Sequence, residues 1–285
     1  MKEGSFMGID VVKLREEFQD SHYLINTSDG KVLFLRAWEP KTQKKNVAVL
    51  FFHGITGHSG AYSMVGESAA AAGFSVFGLD LRGHGLSDGV RGDYPSKKRL
   101  IEDIKETIAF LKNKFPKLVG VGHSLGNLVL IEALNNCRED INGLVFLSLG
   151  RTIKPDAYPK LSIGKKLKML YYIIFRYPKP KISYEREGQV GKDDPLFNFK
   201  YSARFLNILN ASKFVKKFKF ADKLDLPAYV GISEHDELFS IETARAFYDE
   251  IPSETKEFYV IPGAKHAEYP AGSWDHLVNW LKKNF

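Results

Sequence analysis

An apolar run ending in a glycine-flanked serine, Val119-Gly120-Val121-Gly122-His123-Ser124-Leu125-Gly126, constrains this chain more than any other stretch. The residues after it, Leu128-Val129-Leu130-Ile131 with Ala133-Leu134, read as a helix. A buried strand, an abrupt turn and a helix form the context in which G-x-S-x-G is a nucleophile elbow. Such a turn raises the Ser124 hydroxyl above the C-terminal edge of a sheet. Gly122 and Gly126 suit it, because a Cβ at either position would collide as the helix folds back beside the strand. Gly120, Gly122 and Gly126 also form G-x-G-x-x-x-G, but that is one residue too long for a dinucleotide-binding fingerprint.

The rest of the chain alternates between the two periodicities. Ser21 to Asn26 and Val32 to Trp38 flank Ser28-Asp29-Gly30 and predict a β-hairpin. Val47 to Phe52, Phe74 to Leu79, Ile141 to Leu149, Pro227 to Ile232 and Lys256 to Ile261 read as buried strands. Helices are expected over Ala61 to Ala72, Lys97 to Lys114, Ser240 to Glu250 and Gly272 to Leu281. Strands alternating with helices imply a mostly parallel sheet covered on both faces. At 285 residues and 44% hydrophobic content, the chain can build one large core, or a core plus an insertion.

That insertion is where the rhythm breaks. From about Arg151 to Leu224 the sequence is basic, aromatic and rich in proline, without a clear buried strand. Between Arg151 and Lys223 there are 18 Lys and Arg against 6 Asp and Glu, whereas the remainder holds 23 against 28. The net charge of +7 therefore belongs to one segment. It carries no nucleic-acid-binding motif, and no nucleic acid is expected as a partner. The expected organisation is a core of residues 1–150 and 225–285, with residues 151–224 as a mainly helical cap over the C-terminal ends of the strands.

The single cysteine, Cys137, points weakly to a reducing compartment. The opening MKEGSFMGID lacks the apolar stretch of a secretory signal, and no run approaches the roughly 18 apolar residues of a membrane span. The expectation is a cytoplasmic protein. Nothing in the sequence indicates its oligomeric state.

A serine hydroxyl is a poor nucleophile until a base takes its proton, so Ser124 requires a histidine oriented by a carboxylate. The order expected with this elbow is serine, acid, histidine. Ser233-Glu234-His235-Asp236-Glu237 follows one strand and Pro262-Gly263-Ala264-Lys265-His266 follows the next. Asp236 and His266 thus reach the same sheet edge as Ser124. Glu234 and Glu237 are rival carboxylates, but Asp236 best suits a side chain reaching back to an imidazole. His276 lies within the last helix, His235 reads as structural, and His22 belongs to the hairpin. His53 and His58 have no third ligand at sensible spacing, so neither a metal nor a cofactor is expected. The oxyanion of acyl transfer needs two donors. The backbone N–H of Leu125 is one, and the loop His53-Gly54-Ile55-Thr56-Gly57-His58 offers that of Ile55 as the other. His53, Gly54 and His123 are expected to contact substrate.

HGITGHSGAY, GLDLRGHGLSDG, GHSLGN, EHDELF and GAKHAEY together resemble the α/β-hydrolase fold, and in detail its monoacylglycerol lipase and lysophospholipase branch. The resemblance covers roughly residues 20–150 and 225–285. It implies Ser124, Asp236 and His266 as nucleophile, acid and base, with Ile55 and Leu125 supplying oxyanion N–H groups. Asp80, Arg82, His84 and Ser87 match a second motif and are expected to brace its loop. The implied activity is serine carboxylic-ester hydrolysis through an acyl-enzyme, with a monoacylglycerol or similar single-chain lipid ester as substrate. Lysophospholipase, general carboxylesterase, thioesterase, peptidase and C–C bond hydrolase share such a triad, and a non-catalytic lipid-binding protein is the rival from another class. A serine at the elbow excludes haloalkane dehalogenase and epoxide hydrolase, which need a carboxylate there. Asn127 departs from the pattern, standing where the family commonly has a second glycine.

Within the insertion, Lys165-Lys166-Leu167-Lys168 precedes Met169-Leu170-Tyr171-Tyr172-Ile173-Ile174-Phe175, and Arg176, Lys179 and Lys181 follow. This run is expected to pack down on the core and roof an acyl pocket, and contact with a lipid surface is the other, compatible reading. Lys213, Lys216, Lys217 and Lys219 alternate with Phe214, Phe218 and Phe220 and suit a second, amphipathic cap helix.

Overall fold

Apolar runs buried on both faces make the central strands. In the computed structural model, which describes residues 9–41, 43–157, 162–175, 177–185, 190–210, 220 and 224–285, β1 (His22–Asn26) and β2 (Val32–Trp38) form the expected hairpin. β3 (Val47–Phe52), β4 (Ser75–Leu79), β5 (Lys117–His123) and β6 (Gly143–Leu147) come next. The insertion adds a two-stranded ribbon of β7 (Ile182–Ser183) and β8 (Lys200–Tyr201), after which β9 (Ala228–Ser233) and β10 (Lys256–Ile261) complete the main sheet. Its eight strands run in the order β1-β2-β4-β3-β5-β6-β9-β10. β2 is antiparallel to β1 and β4, and every other pair is parallel. Every residue of β3, β4, β6 and β9 is buried, as expected of strands covered on both faces.

Eight helices accompany the strands among the described residues: α1 (Val11–Glu16), α2 (Ser63–Ala71), α3 (Lys97–Lys112), α4 (Gly126–Asn136), α5 (Ile163–Phe175), α6 (Ala203–Ile208), α7 (Ile241–Asp249) and α8 (Asp275–Asn284). Leu100 and Ile104 of α3, Ile131 of α4 and Phe247 of α7 share one core cluster. Val65 and Ala69 of α2 join Leu277 and Leu281 of α8 in another. The sheet is therefore packed on both faces.

The chain leaves β3 through α2 on one face and leaves β5 through α4 on the other. Because β3 and β5 are neighbours, their C-terminal ends flank the crevice where the winding reverses, the usual position of a site in such sheets.

Several boundaries differ from expectation for local reasons. β6 stops at Leu147 because Ser148 turns the backbone to φ 50°. The last helix starts at Asp275 rather than Gly272, since Gly272 (φ 80°) opens a turn that Asp275 N–H closes on the Gly272 carbonyl. α1, capped by the Asp10 carboxylate on Lys13 N–H at 3.1 Å, is too short to give a periodic signal.

Within residues 151–224, Tyr201, Phe205 and Leu209 join the main core. Of the run around α5, the Lys165 side chain and Arg176 lie outside the described residues, as do Lys213, Phe214, Lys216, Lys217, Phe218 and Lys219. No helix among the described residues is long and apolar enough to cross a membrane.

Candidate active site

Ser124 follows β5 in the left-handed region, at φ 53°, a conformation that a non-glycine residue keeps only when its surroundings enforce it. Two contacts do so. Ser124 N–H donates to the Leu147 carbonyl at 3.0 Å, and the Asn127 side-chain amide donates to Ser124 O at 3.0 Å and Leu147 O at 2.9 Å. Asn127 thus pins the elbow to the end of β6, and its Oδ1 has no partner among the described residues. The flanking glycines are required by contact. A Cβ on Gly126 would stand 2.0 Å from the Phe52 carbonyl oxygen, and one on Gly122 would stand 2.7 Å from the Asn127 backbone.

Asp236 and His266 come from the loops after neighbouring strands. β9 and β10 are parallel with Ser233 opposite Ile261, so the loops beyond them emerge side by side. His235 N–H donates to Ala264 O at 2.8 Å and His266 N–H to Glu237 Oε2 at 2.8 Å, stitching the loops together. His266 Nε2 stands 2.9 Å from Ser124 Oγ, and its Nδ1 lies 3.0 and 2.9 Å from the two Asp236 oxygens. Since a carboxylate only accepts, Nδ1 carries the proton and Nε2 offers its lone pair to the serine. Asp236 also accepts from Leu238 N–H at 2.8 Å and Phe239 N–H at 2.9 Å. Burial pushes its pKa up, but His266 and these two amides outweigh burial and hold it below the ordinary carboxylate value. Of the rival carboxylates, Glu237 binds the His266 backbone and Glu234 binds Gly263 N–H at 2.8 Å. His276 stacks on Tyr259 at 3.8 Å, away from the elbow.

Ile55 and Leu125 flank Ser124 from the ends of β3 and β5, and neither backbone N–H donates to another described residue. A cavity of about 920 Å³ opens over Ser124 and His266 and is bordered by Gly54, Ile55 and His123. Tyr184, Val190 and Phe197 of the insertion line its other side.

His53 departs from the substrate contact expected of it. It is fully buried beneath the loop, with Nδ1 2.8 Å from Gly54 O and Nε2 accepting from Leu81 N–H at 3.1 Å. Burial holds its pKa down to about 4, leaving a neutral ring with no free nitrogen. His123 borders the cavity through its ring, but both of its nitrogens are likewise engaged.

Other polar residues brace the site. Asp80 accepts from Ser59 N–H at 2.6 Å and Leu86 N–H at 2.8 Å, and Arg82 makes a two-pronged bond to Asp103, both at 2.8 Å. His58 bonds Asp194 at 2.9 Å, Asn198 N–H donates to Thr56 O at 2.9 Å, and Tyr201 Oη donates to the Ile55 carbonyl. These last three join the loop after β3 to the insertion, and sequence reading assigned them no role. Asp194-Pro195-Leu196, a short motif in the otherwise atypical insertion, is the one local trace of these contacts in the sequence. No group of three or more His, Cys, Asp or Glu among the described residues is arranged to hold a metal.

A doubly covered parallel sheet with a strained serine, a histidine and an aspartate at its C-terminal edge defines an α/β-hydrolase fold with a serine-hydrolase triad geometry. The hydrolase family model Serine aminopeptidase, S33, matches residues 43–268, and the chain belongs to that family. It is 25% identical over 265 residues to the monoglyceride lipase of Rattus norvegicus, covering 87% of this chain and 84% of that one. It is 26% identical over 253 residues to the protein YnbC of Escherichia coli, where the match covers 86% of this chain but only 43% of the relative. The crystal structure of the Paleococcus ferrophilus monoacylglycerol lipase superposes with a TM-score of 0.70 at 24% identity, covering 89% of this chain and 99% of that one.

Proposed function

We propose that this protein is a serine carboxylic-ester hydrolase working through an acyl-enzyme, with monoacylglycerols or similar single-chain lipid esters as substrates. The observation that carries the reading is Ser124 Oγ at 2.9 Å from His266 Nε2, with Asp236 behind the ring. His266 takes the serine proton as Ser124 attacks the ester carbonyl. The Ile55 and Leu125 N–H groups receive the oxyanion, each such donor contributing about 3 kcal/mol in the transition state. His266 then protonates the departing alcohol, and the same ring activates the water that releases the fatty acid.

The substrate class is supported by the names of the relatives and by the cavity. Asp156, Glu185, Glu237 and Glu268 border it against the ammonium of Lys154, which favours an uncharged head group over an anionic one. We further propose that residues 151–224 act as a cap whose α5 rests on lipid. Ile163, Leu167, Leu170 and Ile174 recur on one face at 77%, 62%, 51% and 58% exposure, and Lys166 and Lys168 are exposed beside them. That reading suits a cytoplasmic protein that meets membranes only at their surface.

Hydrolysis of a p-nitrophenyl ester by wild type and Ser124→Ala tests the mechanism. A loss of roughly 10⁴-fold or more is expected, and retained activity in Ser124→Ala sinks the reading. Labelling by a fluorophosphonate separates the enzyme from a non-catalytic lipid binder. A panel of monoacylglycerols, lysophospholipids, acyl-coenzyme A and an aminoacyl p-nitroanilide tests the substrate. Preference for the thioester, the lysophospholipid or the anilide overturns the monoacylglycerol assignment and leaves the triad chemistry standing.

A further inference from the structure

Gly54 is held at both its backbone groups, and the two restraints lead in different directions. On one side, Leu81 N–H occupies His53 Nε2, so His53 Nδ1 keeps the proton and donates to Gly54 O at 2.8 Å. That carbonyl belongs to the same planar peptide unit as the Ile55 N–H, so fixing one end fixes the other.

On the other side, Gly54 N–H donates to Tyr62 Oη at 2.9 Å, and Tyr62 Oη lies 2.8 Å from His123 Nδ1. The His123 Nε2 in turn stands 2.8 Å from the His266 carbonyl oxygen. The directions are determined. A carbonyl only accepts, so His123 Nε2 carries the proton. Burial, aided by the neighbouring His266, holds the His123 pKa near 3, which keeps the ring neutral and Nδ1 bare. Tyr62 therefore donates to Nδ1 and accepts from Gly54. The packing leaves no slack, since a Cβ on Gly54 would stand 3.0 Å from Tyr62 Oη, 3.2 Å from His123 Nδ1 and 3.5 Å from Ser124 Cβ.

We infer that Tyr62 and His123 are positioning residues that tie the oxyanion loop to the loop of the base, holding Ile55 N–H and His266 at a set separation around Ser124. The inference rests on the esterase reading above. The donors of the relay Gly54 N–H to Tyr62 to His123 to His266 C=O are spent on one another, so it acts through the loops it joins. It spans the two loops that must act on one tetrahedral intermediate, although they emerge from β3 and β10, which are not adjacent in the sheet. An error of about 1 Å between such parts costs roughly a hundredfold in rate.

A double-mutant cycle on hydrolysis of a water-soluble p-nitrophenyl ester, with active sites counted from the p-nitrophenol burst, tests this. Tyr62→Phe removes the hydroxyl and keeps the ring that packs 4.4 Å from Phe51. It is expected to lower kcat per titrated site roughly 10–100-fold with KM within about twofold. His123→Ala is expected to act similarly, and the double variant to be no more than about threefold slower than the slower single variant. Where His123→Ala does not fold, His123→Asn replaces it in the cycle. Multiplying effects, or a Tyr62→Phe enzyme with wild-type kcat per site, overturn the inference. So does a loss confined to the melting midpoint and burst amplitude, which is the outcome of a purely structural role. A wild-type protein that gives no burst, or a burst that persists in Ser124→Ala, defeats the esterase reading and the inference with it. A normal wild-type burst beside an unaffected Tyr62→Phe defeats the inference alone.

Discussion

Two parts of the insertion, separated by only a few turns of chain, obey opposite rules. Around β8 and α6, Tyr201 and Phe205 are 0% exposed, and Ser202 and Arg204 both bond the buried Asp93. In α5, Ile163 is 77% and Phe175 68% exposed, with lysines alongside. The first part is continuous with the core and reaches the loop after β3 through Tyr201. The second presents to its surroundings the surface that a helix normally hides. A stretch that reads as one domain by composition thus divides into a structural foot and an apolar, basic outer face.

The same substitution in both parts should break or sharpen that contrast most strongly. Phe205→Ala is expected to destabilise the fold by about 3–5 kcal/mol, the usual cost of emptying a buried aromatic site. Phe175→Ala should lower the free energy of unfolding in urea by less than about 0.5 kcal/mol. Comparable losses at the two positions would show that α5 packs as firmly as the foot.

Acid should next separate α5 from the buried core around the site. His53 and His123 have folded pKa values of about 4 and 3, depressed below the ordinary 6.5 chiefly by burial. Between those values and 6.5 the unfolded chain binds more protons than the folded one. The stability from the neutral rings is therefore full above pH 6.5 and is lost as pH falls toward 4 and then 3. Lowering the pH from 6.5 to 5.5 should cost on the order of 2 kcal/mol in urea unfolding. Binding to anionic vesicles through the α5 lysines should not weaken over that interval. A flat stability profile would contradict the buried, neutral floor.

Smaller effects concern activity. Tyr201→Phe removes the hydroxyl that holds the Ile55 carbonyl and is expected to slow hydrolysis of a soluble ester about tenfold, the equivalent of roughly 1.4 kcal/mol. Leu167→Ser and Ile174→Ser should leave that rate unchanged. Each is expected to weaken co-sedimentation with phospholipid vesicles up to about tenfold, as suits removing a half-exposed aliphatic side chain from a lipid contact. Slower soluble-ester turnover in the α5 variants would move that helix into the site.

The fold was legible because each element carries its own signal. The runs at Val47–Phe52 and Ala228–Ser233 alternate with helices such as Lys97–Lys112, whose Leu100, Ile104, Ile108 and Leu111 are buried at helical spacing. The convergence of Ser124, Asp236 and His266 was legible because post-strand loops in a parallel sheet must open on one edge. His53 was misread for the complementary reason. Its place next to Gly54 in the loop is visible in sequence, but the inward turn of its ring toward Leu81 is not.

What the sequence by itself determined is local and periodic: strands, helices, the elbow and the order of serine, acid and histidine. Only the tertiary structure decided what is directional and long-range. It set the tautomers of His53 and His123, the pairing of Tyr62 with Gly54 of its own loop and with His123 at the end of β5, and the division of the insertion into foot and outer face. The physical reason is that hydrogen bonds depend on angles and on which atom holds the proton, and burial depends on everything packed around a side chain. Neither is a property of residues adjacent in the chain.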